Sequence, residues 1–182
     1  MSTGLSFYSA DRRRVDLAAP LARGGEATIY PVQGQAGTVA KIYTQLREGI
    51  QDKLRHMQAS PPADPTRGMG HASIAWPREL LFDARGRFVG YSMPYIPGAV
   101  TLLEVFNPRR RSVVLPGFDV RYLHRTARNL ASALAALHAA GYVVGDLNEG
   151  NILVTPRTLV TLIDTDSFQV EERRDGKIVI HP

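Results

Sequence analysis

The stretch Tyr142–Asp166 constrains this chain most. It reads Y-V-V-G-D-L-N-E-G-N-I-L-V, then a short turn, then T-L-I-D-T-D. Aliphatic runs on both sides of a turn predict a small hairpin, preceded by a polar loop that carries Asp146 and Asn151. The hairpin returns the chain to Asp164. Three side chains suited to holding a proton or a hard metal ion would thereby converge at one end of a β unit. Taken singly, each has a plainer role. Gly145-Asp146 and Asn151 favour turns, and Asp164 with Asp166 can cap one.

The rest of the chain supports a mixed architecture. Leu21–Val32 and Thr38–Tyr43 flank the glycine-containing turn Gly34–Gly37 and read as short strands. Thr44–Ala59 reads as a helix, with Leu46, Ile50, Leu54 and Met57 spaced by four, four and three. A loop rich in Pro and Gly, Ser60–Gly70, ends it. Ser73–Leu81 and Phe88–Ile96 are expected strands about the polar turn D-A-R-G-R, and Pro97-Gly98 is a sharp break. From Asp119 to Ala140 the helix signal is strongest. Leu123, Ala127, Leu130, Leu134 and Leu137 form one stripe, and Gly141 stands where a terminating glycine belongs. His138 reads as a helix-end packing residue, and Thr101–Phe118 shows no clear period.

The expected fold class is therefore α+β, in two lobes. Residues 1–20 form a loose lead-in, 21–96 a β-rich first lobe with one helix, and 97–118 a hinge and connector. Residues 119–182 form a partial helical second lobe with the long helix and the hairpin.

Composition sets outer limits. With 182 residues, 44% of them hydrophobic, the chain can bury a core of one domain or two small lobes. It has no apolar run of bilayer length, and Met1–Ala10 lacks the basic-then-apolar order of a secretory signal. The absence of cysteine rules out disulfides and thiolate metal sites and fits a cytoplasmic setting. Lys and Arg number 22 against 17 Asp and Glu, for a net charge of +5. Arg12–Arg14 and Arg109–Arg111 are the candidate anion patches, but such runs usually form solvated faces. Neither run is interleaved with aromatics, so nucleic acid is a poor fit as partner.

In order and spacing, these residues resemble the protein-kinase superfamily. Asp146 followed five positions later by Asn151, with Asp164 further on, resembles its catalytic and metal-binding set. Val39-Ala40-Lys41-Ile42 looks like the strand lysine. Leu21–Ile29 looks like a shortened Gly-rich loop, and Tyr91–Gly98 like the gatekeeper and hinge, with Met93 as gatekeeper. The resemblance implies a bilobal kinase-like fold that transfers the γ-phosphoryl group of ATP to Ser/Thr hydroxyls, with Mg2+ as cofactor. Lys41 would hold the α/β-phosphates, Asp146 would act as base, and Asn151 and Asp164 would be the metal ligands. The implied nucleotide site is lined by Gly24, Gly25, Ala27, Ile29, Ala40, Lys41, Met93, Tyr95, Ile96 and Leu153.

At phrase level, G-G-E-A-T-I-Y, V-G-D-L-N-E-G-N-I-L-V and L-I-D-T-D-S-F are similar to a bacterial Ser/Thr-kinase-like group of stress and tellurite-resistance systems. That likeness implies a protein phosphatase and a von Willebrand factor A-type protein as partners, and a cytoplasmic location.

Several positions depart from the family pattern. Ala22 and Ala27 stand where glycines are usual, and Val144-Gly145 precede Asp146 in place of His-Arg. Without that arginine, an activation-loop phosphate loses its usual receptor. Asn148 replaces a lysine, and the metal triplet is Asp164-Thr165-Asp166. The glutamate partner of Lys41 is unassigned: Glu48 with the helix rotated, Glu26 in its place, or no such pair. The chain stops before the helical bulk of a kinase second lobe, so a truncated fragment is expected. A pseudokinase, which binds nucleotide or scaffolds partners without transfer, is the competing expectation.

Overall fold

A computed structural model describes residues 5–174 and 177–181. The chain divides into two compact units, Met1–Ser60 with Trp76–Tyr95, and Pro61–Ala75 with Ile96–Pro182.

The first unit is an antiparallel sheet with one helix. Its elements in chain order are β1 (Ser6–Tyr8), β2 (Arg14–Asp16), β3 (Ala22–Arg23), β4 (Ala27–Pro31), β5 (Thr38–Tyr43), α1 (Ile50–Ala59), β6 (Glu79–Phe82) and β7 (Phe88–Pro94). The seven strands run in the order β2-β1-β6-β7-β5-β4-β3. The expected loose lead-in is corrected from residue 5 onward. β1 and β2 pair with each other, and Tyr8 pairs with Phe82 of β6. Val15 and Leu17 are buried with Val32, Ala40 and Leu81. Those two apolar residues anchor an otherwise polar segment. At the other side of the sheet's centre, a Cβ at Gly90 would lie 2.0 Å from the Lys41 carbonyl oxygen, so β7 can pass β5 only as glycine.

Helix α1 starts at Ile50, later than the expected Thr44. Gly49 adopts φ 76 just before it, a left-handed turn that resets the chain direction. Leu46 is exposed and lies outside the apolar face, which Ile50, Lys53, Leu54 and Met57 form instead. The Trp76 indole N–H donates to the Met57 carbonyl at 2.9 Å, and Gln58 Nε2 donates to the Arg78 carbonyl at 2.6 Å. β6 is shorter than expected and begins only at Glu79.

The second unit contains β8 (Val100–Thr101), α2 (Leu102–Phe106), α3 (Pro108–Val114), α4 (Val120–Ala139), β9 (Ile152–Val154), β10 (Val160–Leu162), β11 (Val170–Arg174) and β12 (Lys177–His181). Two small sheets form, β10-β9-β8 and β11-β12. Asp119 caps α4 by accepting from the Arg121 and Tyr122 amides at 2.9 and 3.2 Å. Gly141, at φ 81, ends the helix and donates to the His138 carbonyl at 3.0 Å. The buried face of α4 runs through Thr126, Ala133 and Leu137. It is rotated from the expected stripe: Ala127 is exposed, while Leu123, Leu130 and Leu134 are half-buried. His138 is exposed and does not pack.

Loop 61–75 belongs with this second unit although it was expected in the first lobe. It lies along β10. The Leu162 amide donates to the Ser73 carbonyl and the Ala75 amide to the Leu162 carbonyl, at 2.9 and 2.8 Å. His71 Nε2 lies 2.9 Å from the Val160 carbonyl, and Thr161 Oγ1 donates to the Ala72 carbonyl at 2.6 Å. These bonds give β10 a covered edge and fix the strand that leads to Asp164. No helix among the described residues is long and apolar enough to cross a membrane.

Candidate active site

The geometry of the second unit follows from a close approach. Val143 and Gln169 form an antiparallel bridge, with amide-to-carbonyl distances of 3.1 and 2.8 Å. The chain then passes so near Ser167 that a Cβ at Gly145 would lie 2.6 Å from the Ser167 carbonyl oxygen. No side chain fits there. This is the physical reason that arginine is absent before Asp146.

Asp146 is exposed at the head of the loop, and the loop is folded around it. Asn148 Nδ2 donates to Asp146 Oδ1 at 2.9 Å. Asn148 Oδ1 accepts from the Gly150 and Asn151 amides at 2.8 and 3.2 Å, an Asx-type turn that needs no other residue. Asn151 Nδ2 donates to Asp146 Oδ2 at 3.0 Å and to its carbonyl at 3.2 Å. With its nitrogen committed to Asp146, Asn151 presents its amide oxygen as an acceptor on the other side. In sequence Asn148 reads only as a missing lysine; its turn-forming role is signalled by its place two residues before Gly150.

The hairpin brings Asp164 to the same end. Leu162 pairs with Ile152, and the Ile163 amide donates to the Asn151 carbonyl at 3.0 Å, so Asp164 follows directly beside Asn151. Asp164 itself adopts φ 59 and ψ 39, a left-handed conformation that is uncommon outside glycine and best tolerated by Asn and Asp. Its carbonyl accepts from the Ser167 amide at 3.0 Å and from Ser167 Oγ at 2.7 Å. Thr165–Ser167 form a single 3-10 turn in which Thr165 and Asp166 are buried, and Thr165 Oγ1 donates to the Ala75 carbonyl at 3.1 Å. Asp166 has no positive φ, so the usual glycine can be replaced here without backbone cost. Below the loop, Tyr142 is buried, and desolvation pushes its hydroxyl above the usual tyrosine value. Leu153 lies on β9, where it pairs with Thr101 and Thr161.

The first unit holds the remaining predicted residues. Lys41 is buried on β5, its ammonium 5.7 Å from the Tyr43 ring centroid. Register settles which neighbours share its face. Ile29 and Tyr91 pair with Lys41, Ala27 with Tyr43, and Met93 with Val39. Ala27, Ile29, Lys41 and Met93 therefore point the same way, since cross-strand partners share a face. Ala40 does not. It alternates with Lys41 and is buried in the opposite core with Val15 and Leu17, so its assignment to the nucleotide site is corrected. Val39 shares the Lys41 face and was the residue that period-two counting should have chosen.

Gly24 and Gly25 form the turn between β3 and β4, where the Gly24 amide donates to the Ala27 carbonyl at 2.9 Å. That amide is spent within the turn. Tyr95 is partly exposed and its amide donates to the Gly37 carbonyl at 2.9 Å, whereas Ile96 falls in the second unit. Glu48 precedes α1 and is exposed, and Glu26 is ion-paired with Arg47.

A magnesium ion fits the donor set of the second unit: an amide oxygen and a carboxylate are both hard ligands, though too few to enclose an ion. Among the described residues no group of three His, Cys, Asp or Glu forms a self-sufficient metal cage. Such a pair suits an ion whose other ligands are phosphate oxygens and water.

Solved structures show which class this is: the chain has the protein-kinase fold. The structure of vaccinia related kinase 3 matches with a TM-score of 0.66 at 17% identity, covering 98% of this chain and 56% of that one. ROP2 from Toxoplasma gondii, described as a virulence factor with a protein-kinase fold and no enzymatic activity, matches with a TM-score of 0.60 at 15% identity, covering 92% and 55%. Among curated proteins, the chain is 33% identical over 172 residues to protein kinase YegI of Escherichia coli K12, and 34% identical over 167 residues to that of Escherichia coli O157:H7. These alignments cover 93% and 91% of this chain but only 26% and 25% of the relatives' lengths. No family model matches the chain. What these likenesses share with the chain is the protein-kinase fold.

Proposed function

We propose that this chain is an ATP- and Mg2+-dependent protein-kinase module that phosphorylates Ser/Thr hydroxyls. The supporting observation is the loop in which Asn151 Nδ2 donates to Asp146 Oδ2 at 3.0 Å while the hairpin holds Asp164 beside Asn151. In this reading Asp146 orients the acceptor hydroxyl and takes its proton. Asn151 and Asp164 hold the metal through hard oxygens, and Lys41 holds phosphate from β5. Bound magnesium would neutralise phosphate charge, which is most of what phosphoryl transfer requires. Ala27, Ile29, Val39 and Met93 supply an apolar face for the adenine. A bacterial, cytoplasmic setting and a cognate phosphatase and von Willebrand factor A-type partner belong to the same proposal.

A second reading is a pseudokinase, and one feature favours it. Two amide donors, from Asn148 and Asn151, hold the Asp146 carboxylate at 2.9 and 3.0 Å, so both of its oxygens are already engaged within the loop. Transfer of phosphate from labelled ATP to a generic basic protein and to the chain itself separates the two. Transfer abolished by Asp146→Ala and by Asp164→Ala supports the enzyme. MgATP binding without transfer supports the pseudokinase, and transfer unaffected by either change overturns the site assignment.

A further inference from the structure

The arginine run Arg109–Arg111 lies on α3 and leads directly into Ser112-Val113-Val114. Helix α3 buries none of its residues, and Ser112 is exposed. The Ser112 Oγ donates to the Arg109 carbonyl at 2.8 Å, a bond within its own helix. Only the start of α3 is pinned. Asn107 Oδ1 accepts from the Arg109 and Arg110 amides at 3.0 and 3.3 Å, and Arg110 pairs with Glu104. Arg111 Nη1 donates to the Val105 carbonyl at 2.9 Å. Buried Val105 and Leu115 anchor the chain on either side. A seven-residue helix with no buried face is too short to hold by itself, so the segment between these anchors opens at little cost.

The loop that carries Asp146 has the opposite charge. Residues 144–154 include Asp146 and Glu149, both exposed, and no Lys or Arg. Such a surface attracts a cationic segment and raises its encounter rate. Within one chain the two parts have a set relation. The Leu103 amide donates to the Glu149 carbonyl at 3.3 Å, and Arg111 ties α3 to α2, which gives α3 one place relative to its own loop. A second copy is under no such constraint. We propose that Ser112 is a phosphate-acceptor site and that a second copy of this chain is the enzyme that modifies it. This rests on the kinase reading and gives it a substrate. In the transfer, the Ser112 oxygen bonds to the γ-phosphorus of ATP as the bond to the β–γ bridging oxygen breaks. ADP leaves, and the hydroxyl proton passes to the Asp146 carboxylate. Arg109 and Arg110 of the acceptor, three and two residues before Ser112, supply the charge that the loop attracts.

The experiment mixes the parent with an isotope-labelled Asp146→Ala copy in MgATP and locates phosphate by mass spectrometry. A generic basic protein serves as a parallel acceptor. Expected is phosphate at Ser112 of the Asp146→Ala copy, formed at a rate that rises with that copy's concentration. Most phosphate on that copy should be lost when Ser112→Ala is added to it. Ser112→Ala in the parent should leave transfer to the generic protein unchanged, which also reports that the variant has folded. Arg109→Gln with Arg110→Gln in the acceptor should slow its modification about tenfold, and added salt should narrow the difference. An equal rate in that variant overturns recognition by charge. Phosphate confined to other residues, or to the parent's own chain, overturns the proposal, while transfer to the generic protein upholds the kinase reading. No transfer to either acceptor overturns the kinase reading and the proposal with it.

Discussion

Gly145 and Asp164 show how single positions set the loop. Replacing Gly145 with alanine puts a Cβ 2.6 Å from the Ser167 carbonyl, so one of the two backbones must move. Overpacking of this kind costs about 1–3 kcal/mol, and urea unfolding of Gly145→Ala should show a loss in that range. At Asp164 the demand is opposite in kind. Asparagine tolerates φ 59 nearly as well as aspartate but carries no charge for the metal. On the proposed metal role, Asp164→Asn should keep the left-handed turn and lose the Mg2+-dependent transfer proposed for the chain, read from a labelled-ATP assay. On the proposed role, Asp146→Asn removes the base and should lower turnover by about 10²–10⁴-fold in single-turnover transfer, and the loss of one accepting oxygen should cost about 1 kcal/mol in urea unfolding. The three candidate positions, Asp146, Asn151 and Asp164, were legible in the sequence because they lie within one local segment of fixed spacing. The meaning of Gly145 was not, because its constraint is a carbonyl twenty-two residues away.

At the scale of elements, the well-read parts are those with both a cap and a buried face. Helix α4 has Asp119 before it, Gly141 after it and Leu137 fully buried beneath it. Asp119→Ala should cost about 1 kcal/mol through loss of the cap. Leu137→Ala should cost about 2–5 kcal/mol through the cavity it leaves, whereas Phe106→Ala on exposed α2 should fall within about 0.5 kcal/mol of the parent. All three are read from urea unfolding curves. Helices α2 and α3 had no period to detect because α2 buries only Val105 and α3 buries nothing. Their one readable sign was Asn107-Pro108, a capping residue followed by a proline at the first helical position. β1 and β2 were missed for a related reason. Val15 and Leu17 are an apolar alternation too short to stand out until the partner strand supplies the rest of the core.

Across the whole chain, acid is the informative stress. Asp16 is held below the usual carboxylate range by the Ser6 hydroxyl and then by Arg14, Asp83 by the Arg87 backbone amide and side chain, and Asp119 by the Arg121 side chain. Groups with depressed pKa in the folded state add stability above the unfolded carboxylate value of about 3.9 and lose it as pH falls through the lowered values. Thermal midpoints should thus fall as the pH drops below about 4. The triple change Asp16→Asn, Asp83→Asn and Asp119→Asn should flatten that slope and leave the α4 cap in place, since asparagine caps as well as aspartate. The path of loop 61–75 along β10 could not be read in advance, because its bonds join residues about ninety positions apart. The left-handed turn at Asp164 has a consequence for descent as well as for chemistry. The residues that best accept that backbone are aspartate, asparagine and glycine, and a single base change in an aspartate codon reaches either of the others. A lineage carrying this turn can lose the proposed metal ligand in one step while the backbone conformation is kept. If the proposed metal role holds, relatives that have lost transfer but kept this turn should carry asparagine or glycine at this position.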